Sequence, residues 1–268
     1  MNPEYQENIR AGCEFCVDHG DNSAFTRLHG GEQEVWSAGS MRLLIDTYPI
    51  TEGHVLLIPK EHFFSSSQAP SGVVHYEMGH AVADLTASYP QTPIIYFEHG
   101  SGSQGDAHVV ACGESCGPSN DHAHIHIMPS VKPETGEKVD ISYDQIASNV
   151  RELLRLCKWD DVFDSEYHTK GETMLSSRPQ TEKPYLHFGI RNIDGTYEEE
   201  TFVQPDLGYK IPSQLLRRTI APLLYGRAVT EHAWDYHQLE WRIFVDGFKD
   251  DVPHLNAMIN RFRTRMVK

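Results

Sequence analysis

Short apolar runs bounded by turn residues dominate the first half of the chain, broken by one stretch of helical spacing. Residues 33–62 read as two strands joined by a turn-rich bend. QEVWSAGSMRLLIDTYP leads through ITEG into HVLLIPKEH, whose Val55–Ile58 run is bounded by Gly53 and Pro59. In GVVHYEMGHAVADLTAS, residues 72–88, Val73, Tyr76, Ala81 and Leu85 recur at roughly helical spacing and stop before Pro90. TPIIYFEH then predicts a strand, Gly100–Gly117 a polar Gly/Ser-rich loop, and DHAHIHIMPS another strand stopped by Pro129. Two strands flanking a long loop form a hairpin-like unit, and such inserts commonly carry function.

From about residue 131 the pattern changes. VKPETGEKVD is linker-like, and SYDQIASNVRELLRLC is an amphipathic helix capped by Ser142. PYLHFGIRNIDGTYEEETFV reads as a hairpin turning at Asp194-Gly195, with Glu198–Glu200 as its solvated edge. IPSQLLRRTIAPLL has Pro212 and Ser213 at a helix start, and HLNAMINRFRTRM is a basic terminal helix. No repeat with a period of 20–50 residues is visible. The expected organisation is an N-terminal α+β domain over residues 1–130 and a C-terminal α+β extension over 131–268, which need not fold alone.

Composition narrows the function classes. Of the 268 residues 39% are hydrophobic, enough for a packed core, and no apolar run approaches the ~18 residues of a membrane span. The start, MNPEYQENIRAGCEFC, lacks a basic-then-apolar signal pattern, so a cytoplasmic protein is expected. A net charge of −15 argues against a polynucleotide partner, because phosphate backbones select basic surfaces. A small anionic ligand is still compatible if local dipoles and a few cations outweigh the global field. Five cysteines, an odd count, argue against a disulfide framework and leave metal binding or buried thiols.

DHAHIHIMPS places His122, His124 and His126 at every second position. Side chains on a strand alternate between faces, so these three share one face while Ala123, Ile125 and Ile127 share the other. Three readings fit: a polar strand face, a metal site, or a catalytic site in which one imidazole attacks phosphorus while its neighbours orient it and bind phosphoryl oxygens. CEFC at residues 13–16 supplies half of a tetrahedral zinc set, unless it is redox-active or simply two unligated thiols. Two histidines would complete the set, one from the triad and one from elsewhere. That would clip the N-terminus to the sheet and leave the remaining triad histidines free for chemistry.

HAHIHIM resembles the signature of the histidine triad superfamily of nucleotide hydrolases and transferases. LLIDTYPITEGHVLLIPKEH, residues 43–62, looks like the family's strand–turn–strand, and CEFC resembles its zinc-binding branch. The resemblance covers about residues 10–130, with a weaker similarity of IPSQLLRRTIAPLL and WDY to C-terminal extensions of bacterial relatives. It implies an antiparallel sheet with flanking helices.

The resemblance also implies roles. His124 would be the nucleophile, forming a nucleotidyl-imidazole intermediate. His126 would bind the phosphate under attack or its leaving group, and His122 would orient His124 through its carbonyl. His122, Cys13, Cys16 and His62 would hold a structural zinc. Asp46 would hold ribose hydroxyls, Leu44 would help line the base pocket, and Ser119 would lie near the leaving group. The substrate would be a small nucleotide: a phosphoramidate, dinucleoside polyphosphate or nucleotide conjugate.

Related transferases and phosphorylases carry glutamine where this chain has His126, which favours hydrolysis. The alternatives are nucleotidyl transfer or phosphorolysis, and a zinc-stabilised nucleotide-binding scaffold without turnover. A homodimer through the fold's helix and an edge strand is also implied. Three features depart from the family pattern. Glu98 stands where an asparagine is usual, Pro118 replaces the glutamine before the serine, and the longer loop adds Cys112 and Cys116 as a C-x₃-C pair. That pair is either a second metal or redox element or two unlinked thiols. Arg217-Arg218 reads as helix solvation, with a substrate phosphate as the functional alternative.

Overall fold

The computed structural model describes residues 13, 15–16, 24–100, 122–156, 164–172, 183–203, 215–225 and 252–266. Its centre is one eight-stranded, wholly antiparallel sheet flanked by helices, so the expected α+β class holds. In chain order the elements are α1 (Ala24–His29), β1 (Glu34–Ala38), β2 (Met41–Ile45), β3 (Val55–Pro59), α2 (Ser71–Ser88), β4 (Ile94–Gly100) and β5 (Ile125–Pro129). They continue as α3 (Tyr143–Leu156), β6 (Asp164–Gly171), β7 (Tyr185–Arg191), β8 (Tyr197–Val203), α4 (Leu215–Leu224) and α5 (Val252–Met266). The strands lie in the order β1-β2-β3-β5-β4-β7-β8-β6. The sheet thus passes without interruption from the N-terminal strands into those after residue 131, through the seven-residue β4–β7 ladder.

The stretch before ITEG holds two strands where one was expected. Ala38 pairs with Met41 across the two-residue turn Gly39-Ser40, and Gly39 has φ +49, the left-handed region that glycine enters without strain. The turn was hidden because GS is a weak punctuator between residues of strand character. The 72–88 helix is present, but its inward stripe is Val74, Met78, Ala81, Val82 and Leu85, and Tyr76 is 64% exposed. At α3, Ser142 and Gln145 form a reciprocal cap: Ser142 Oγ accepts from the Gln145 N–H at 3.3 Å, and Gln145 Oε1 accepts from the Ser142 N–H at 2.8 Å. The start of α4, including Pro212 and Ser213, lies outside the described residues.

Strand alternation gives the sheet two different faces. On one, Leu43, Ile45, Val55, Leu57, Ile125 and Ile127 pack under α2 and α5. On the other, Ile95, Phe97, Met128, Leu186, Phe188 and Ile190 pack under α3 and α4. The terminal helix α5 is pinned by a buried carboxylate. Glu52, fully buried in the turn before β3, accepts from Arg261 Nε at 2.5 Å, Arg265 Nε at 2.6 Å and Tyr89 OH at 3.1 Å.

Glu198–Glu200 do not form a solvated edge. β8 is an interior strand, covered on its outer side by β6, and Glu199 and Glu200 are 0% and 1% exposed. Both are paired: Glu199 accepts from Tyr96 OH at 2.8 Å, and Glu200 from Tyr143 OH at 2.7 Å and Arg151 at 2.6 Å. No alternating apolar pattern in DSEYHTKG announces β6, so the sequence of β8 alone could not reveal its cover. Among the described residues, no helix is long and apolar enough to cross a membrane.

Candidate functional site

The three histidines sit on the α3/α4 face of the sheet, where helix cover gives way to the N-terminal segment. β5 registers Leu56 of β3 and Phe97 of β4 on either side of His126. The His126 ring stacks on Phe97, with centroids 4.5 Å apart and planes at 16°. Leu44, Leu56 and Ile58 form an apolar patch on this face, and Phe15 closes over it. Phe15 also lies against His124, at a centroid distance of 5.6 Å. Leu44 is therefore beside the triad, as a pocket wall would be.

At the outer end of the triad, Cys13, Cys16, His62 and His122 converge, with all four ligand-type atoms within 4.8 Å of one another. His122 Nδ1 lies 3.4 Å from Cys13 Sγ and 3.3 Å from Cys16 Sγ, and His62 Nδ1 lies 3.2 Å from Cys16 Sγ. Those separations suit the edges of a tetrahedron around one ion bound at ~2.3 Å by sulfur and ~2.0 Å by nitrogen. The far side of the His122 ring is fixed as well. Its Nε2 donates to the Pro59 carbonyl at 2.7 Å, so the Nδ1 lone pair faces the sulfurs. Burial pulls the His122 pKa down to about 3, keeping the ring neutral, the form in which an imidazole could bind a metal.

In the middle of the triad, His124 is half-buried and its Nδ1 donates to the His122 carbonyl at 2.7 Å. A carbonyl can only accept, so Nδ1 carries a proton, and in the neutral ring Nε2 then carries the unshared pair. At the inner end, His126 Nδ1 meets His54 Nε2 at 2.9 Å, and Asp46 Oδ2 lies 3.6 Å from both nitrogens. Burial is the main cause that pushes both rings well below the ordinary imidazole pKa. Arg217 and His124 act in the same direction on both, and Asp46 opposes on His126.

Asp46 is only 4% exposed. Its Oδ1 accepts from the Tyr48 N–H at 2.7 Å and from Arg217 Nη2 at 3.3 Å. A ribose diol that used both carboxylate oxygens would have to displace Arg217. That arginine, in α4, is buried and also donates to the Tyr48 carbonyl, so the extension contributes a side chain to the site. Periodicity alone made Arg217 look like surface charge, and the missing signal was the helix's docking face. Glu98 points the other way. It is buried on the opposite face, where it accepts from the Ser66 N–H at 2.6 Å and Tyr185 OH at 2.7 Å. Ser119, Cys112, Cys116 and Pro118 lie outside the described residues.

Residues 32–132, less than half of the chain, match the HIT domain family. No curated protein matches the chain. Among solved structures, a hypothetical histidine triad nucleotide-binding protein from Sulfolobus tokodaii strain 7 is 21% identical over 44% of this chain and 68% of its own, with a TM-score of 0.26. Yeast Ap4A phosphorylase in complex with AMP is 15% identical over 84% of this chain and 73% of its own, with a TM-score of 0.32.

Proposed function

We propose that the chain hydrolyses a nucleoside 5′-phosphoryl bond through a nucleotidyl adduct on His124. The observation that carries this reading is the 2.7 Å hydrogen bond from His124 Nδ1 to the His122 carbonyl. In the neutral ring it leaves the Nε2 pair free to attack phosphorus, with no strong base required. In the first step Nε2 forms a bond to phosphorus, and the bond to the leaving group breaks with its electron pair departing on that group. Water then attacks the adduct, the P–N bond breaks, and His124 is regenerated with a nucleoside monophosphate. His126 binds the phosphoryl oxygens, and the patch of Leu44, Leu56 and Ile58 takes the base. Asp46 holds the ribose once Arg217 has moved from Oδ1.

Cys13, Cys16, His62 and His122 would hold a structural zinc, which ties the N-terminal segment to the sheet and takes no part in the chemistry. The fixed Nε2–Pro59 bond and the two facing thiols support that assignment. The chain would pair as a homodimer. One edge of the N-terminal strands, β4, already carries β7, so β1 and the exposed Tyr76 face of α2 are the surfaces left for a second copy. A monomer mass by light scattering at all concentrations would reject it.

The test of the activity is a screen of nucleoside phosphoramidates, dinucleoside polyphosphates and nucleotide conjugates, with mass spectrometry for an adduct. Nucleoside monophosphate release and a labelled His124 are expected. Turnover without any His124 label would overturn the mechanism, and a nucleoside diphosphate formed only when phosphate is supplied would make it a phosphorylase.

A further inference from the structure

We propose that His54 is a positioning residue that sets the His126 ring in the tautomer with its proton on Nε2, so that His126 offers the substrate a hydrogen-bond donor. This rests on the reading of His126 as the phosphoryl-binding ring.

The assignment follows from a backbone group that has no choice. The Ile50 N–H can only donate, and it points at His54 Nδ1 at 3.2 Å. His54 Nδ1 must therefore be the acceptor, and in a neutral ring the proton is then on Nε2. That Nε2–H faces His126 Nδ1 at 2.9 Å, which must accept in turn. The proton of His126 is thereby placed on Nε2, on the ring edge away from His54. Among the described residues none hydrogen-bonds that nitrogen. Protonating either ring would set two donors against each other, at Ile50 or between the rings, and full burial of His54 further favours neutrality.

Two neighbouring rings of the triad thus take opposite tautomers from opposite backbone groups. Behind His124 stands a carbonyl, which makes its outer nitrogen a nucleophile. Behind His126, one imidazole removed, stands an amide, which makes its outer nitrogen a donor. Asp46, 3.6 Å from the His54–His126 contact, would attract a further proton to the pair. Arg217 at 3.3 Å from the same carboxylate offsets that pull. The donor ordering also argues against a cation among Asp46, His54 and His126, although their ligand-type atoms fall within 4.8 Å. A metal on His54 Nε2 would require the proton on Nδ1, directly against the Ile50 N–H.

The experiment compares the wild-type protein with His54→Gln and His54→Phe. Glutamine keeps both functions, a carbonyl for Ile50 and an amide N–H for His126, whereas phenylalanine keeps the ring shape and neither function. The first readout is ¹⁵N NMR of the imidazoles, which needs no turnover: His126 should show a protonated Nε2 and a bare Nδ1 in the wild type and in His54→Gln. The second is kcat on the best nucleotide conjugate. It should fall about 10²-fold in His54→Phe, with KM less affected, and largely recover in His54→Gln, the scale expected for losing one oriented oxyanion donor. A wild-type spectrum with the His126 proton on Nδ1 would overturn the proposal. So would equal kcat losses in the two variants, or a second divalent ion in wild-type protein that His54→Gln loses. If His54→Phe does not fold, the wild-type and His54→Gln spectra decide the question. Failure of the hydrolase reading would appear separately, as absent turnover with the tautomers intact.

Discussion

Cys13, Cys16, His62 and His122 gather at one end of the triad, and Asp46, His54 and His126 at the other. In each set the ligand-type atoms lie within 4.8 Å of one another. By distance the two are alike, yet their backbone surroundings differ. Behind His122 is the Pro59 carbonyl, which takes the ring's proton and turns its lone pair toward two thiols. Behind His54 is the Ile50 N–H, which takes the lone pair and turns the ring's proton toward His126. A carbonyl behind an imidazole prepares a ligand or nucleophile, and an amide behind it prepares a donor. The group behind the ring, more than the spacing in front of it, sorts these histidines by role.

The largest expected effect falls on His124, which belongs to neither set. His124→Ala should lower turnover on the order of 10³-fold or more while nucleotide binding and metal content stay as they were. Near wild-type turnover in that variant would dissolve the distinction, because the ring with the best-defined unshared pair would then have no special role. Next in size is the metal itself. The wild-type protein should carry about one zinc per chain, and Cys13→Ser with Cys16→Ser should carry none and lose order first in the N-terminal segment. Asp46→Asn should keep its zinc. Metal analysis after mild purification decides this, and loss of zinc from Asp46→Asn instead would reverse the roles of the two clusters.

How much of this was legible beforehand depended on how local each signal was. HAHIHIM and CEFC read directly because strand alternation and C-x-x-C spacing are short-range patterns, His62 followed only from the family resemblance, and the four candidate ligands do meet in space. Leu44 likewise lands on the triad face. Arg217 was misread because its meaning depends on α4 docking over Asp46, 171 residues away in sequence. Glu199 and Glu200 were misread for the same reason: their burial is decided by β6, a strand of polar residues with no periodic signature. His54 was legible as part of a motif but not in its role, because no sequence pattern says which nitrogen of a ring meets a backbone amide.

A smaller effect should appear in the acid stability of the metal-free protein. His54 and His126 bind protons less readily folded than unfolded, so unfolding takes protons up. Their contribution is complete above the unfolded value of about 6.5 and declines as the pH falls below it, by up to about 1.4 kcal/mol per pH unit for each ring. Denaturation midpoints at pH 7, 6 and 5 should fall in that order, and His54→Gln should show a shallower decline. Equal slopes in the two proteins would mean that His54 titrates normally and that its buried neutral state is not maintained.

The smallest expected effect separates Asp46 from Arg217. Arg217 Nη2 lies on Oδ1, the oxygen that a ribose diol would need in addition to Oδ2. Arg217→Met removes the competing cation and keeps an apolar stem to pack in α4. Affinity for a ribonucleoside monophosphate should rise a few-fold, on the order of 1 kcal/mol for one charged hydrogen bond no longer displaced. Asp46→Asn should move it the other way and narrow the preference for ribo- over deoxyribonucleotides, because an amide presents one acceptor where the carboxylate presents two. Titration calorimetry with matched ribo and deoxy ligands gives both signs in one experiment. Opposite signs fit an arginine that guards the carboxylate. A loss in both variants would make Arg217 a phosphate contact instead, and would give α4 a direct hand in binding.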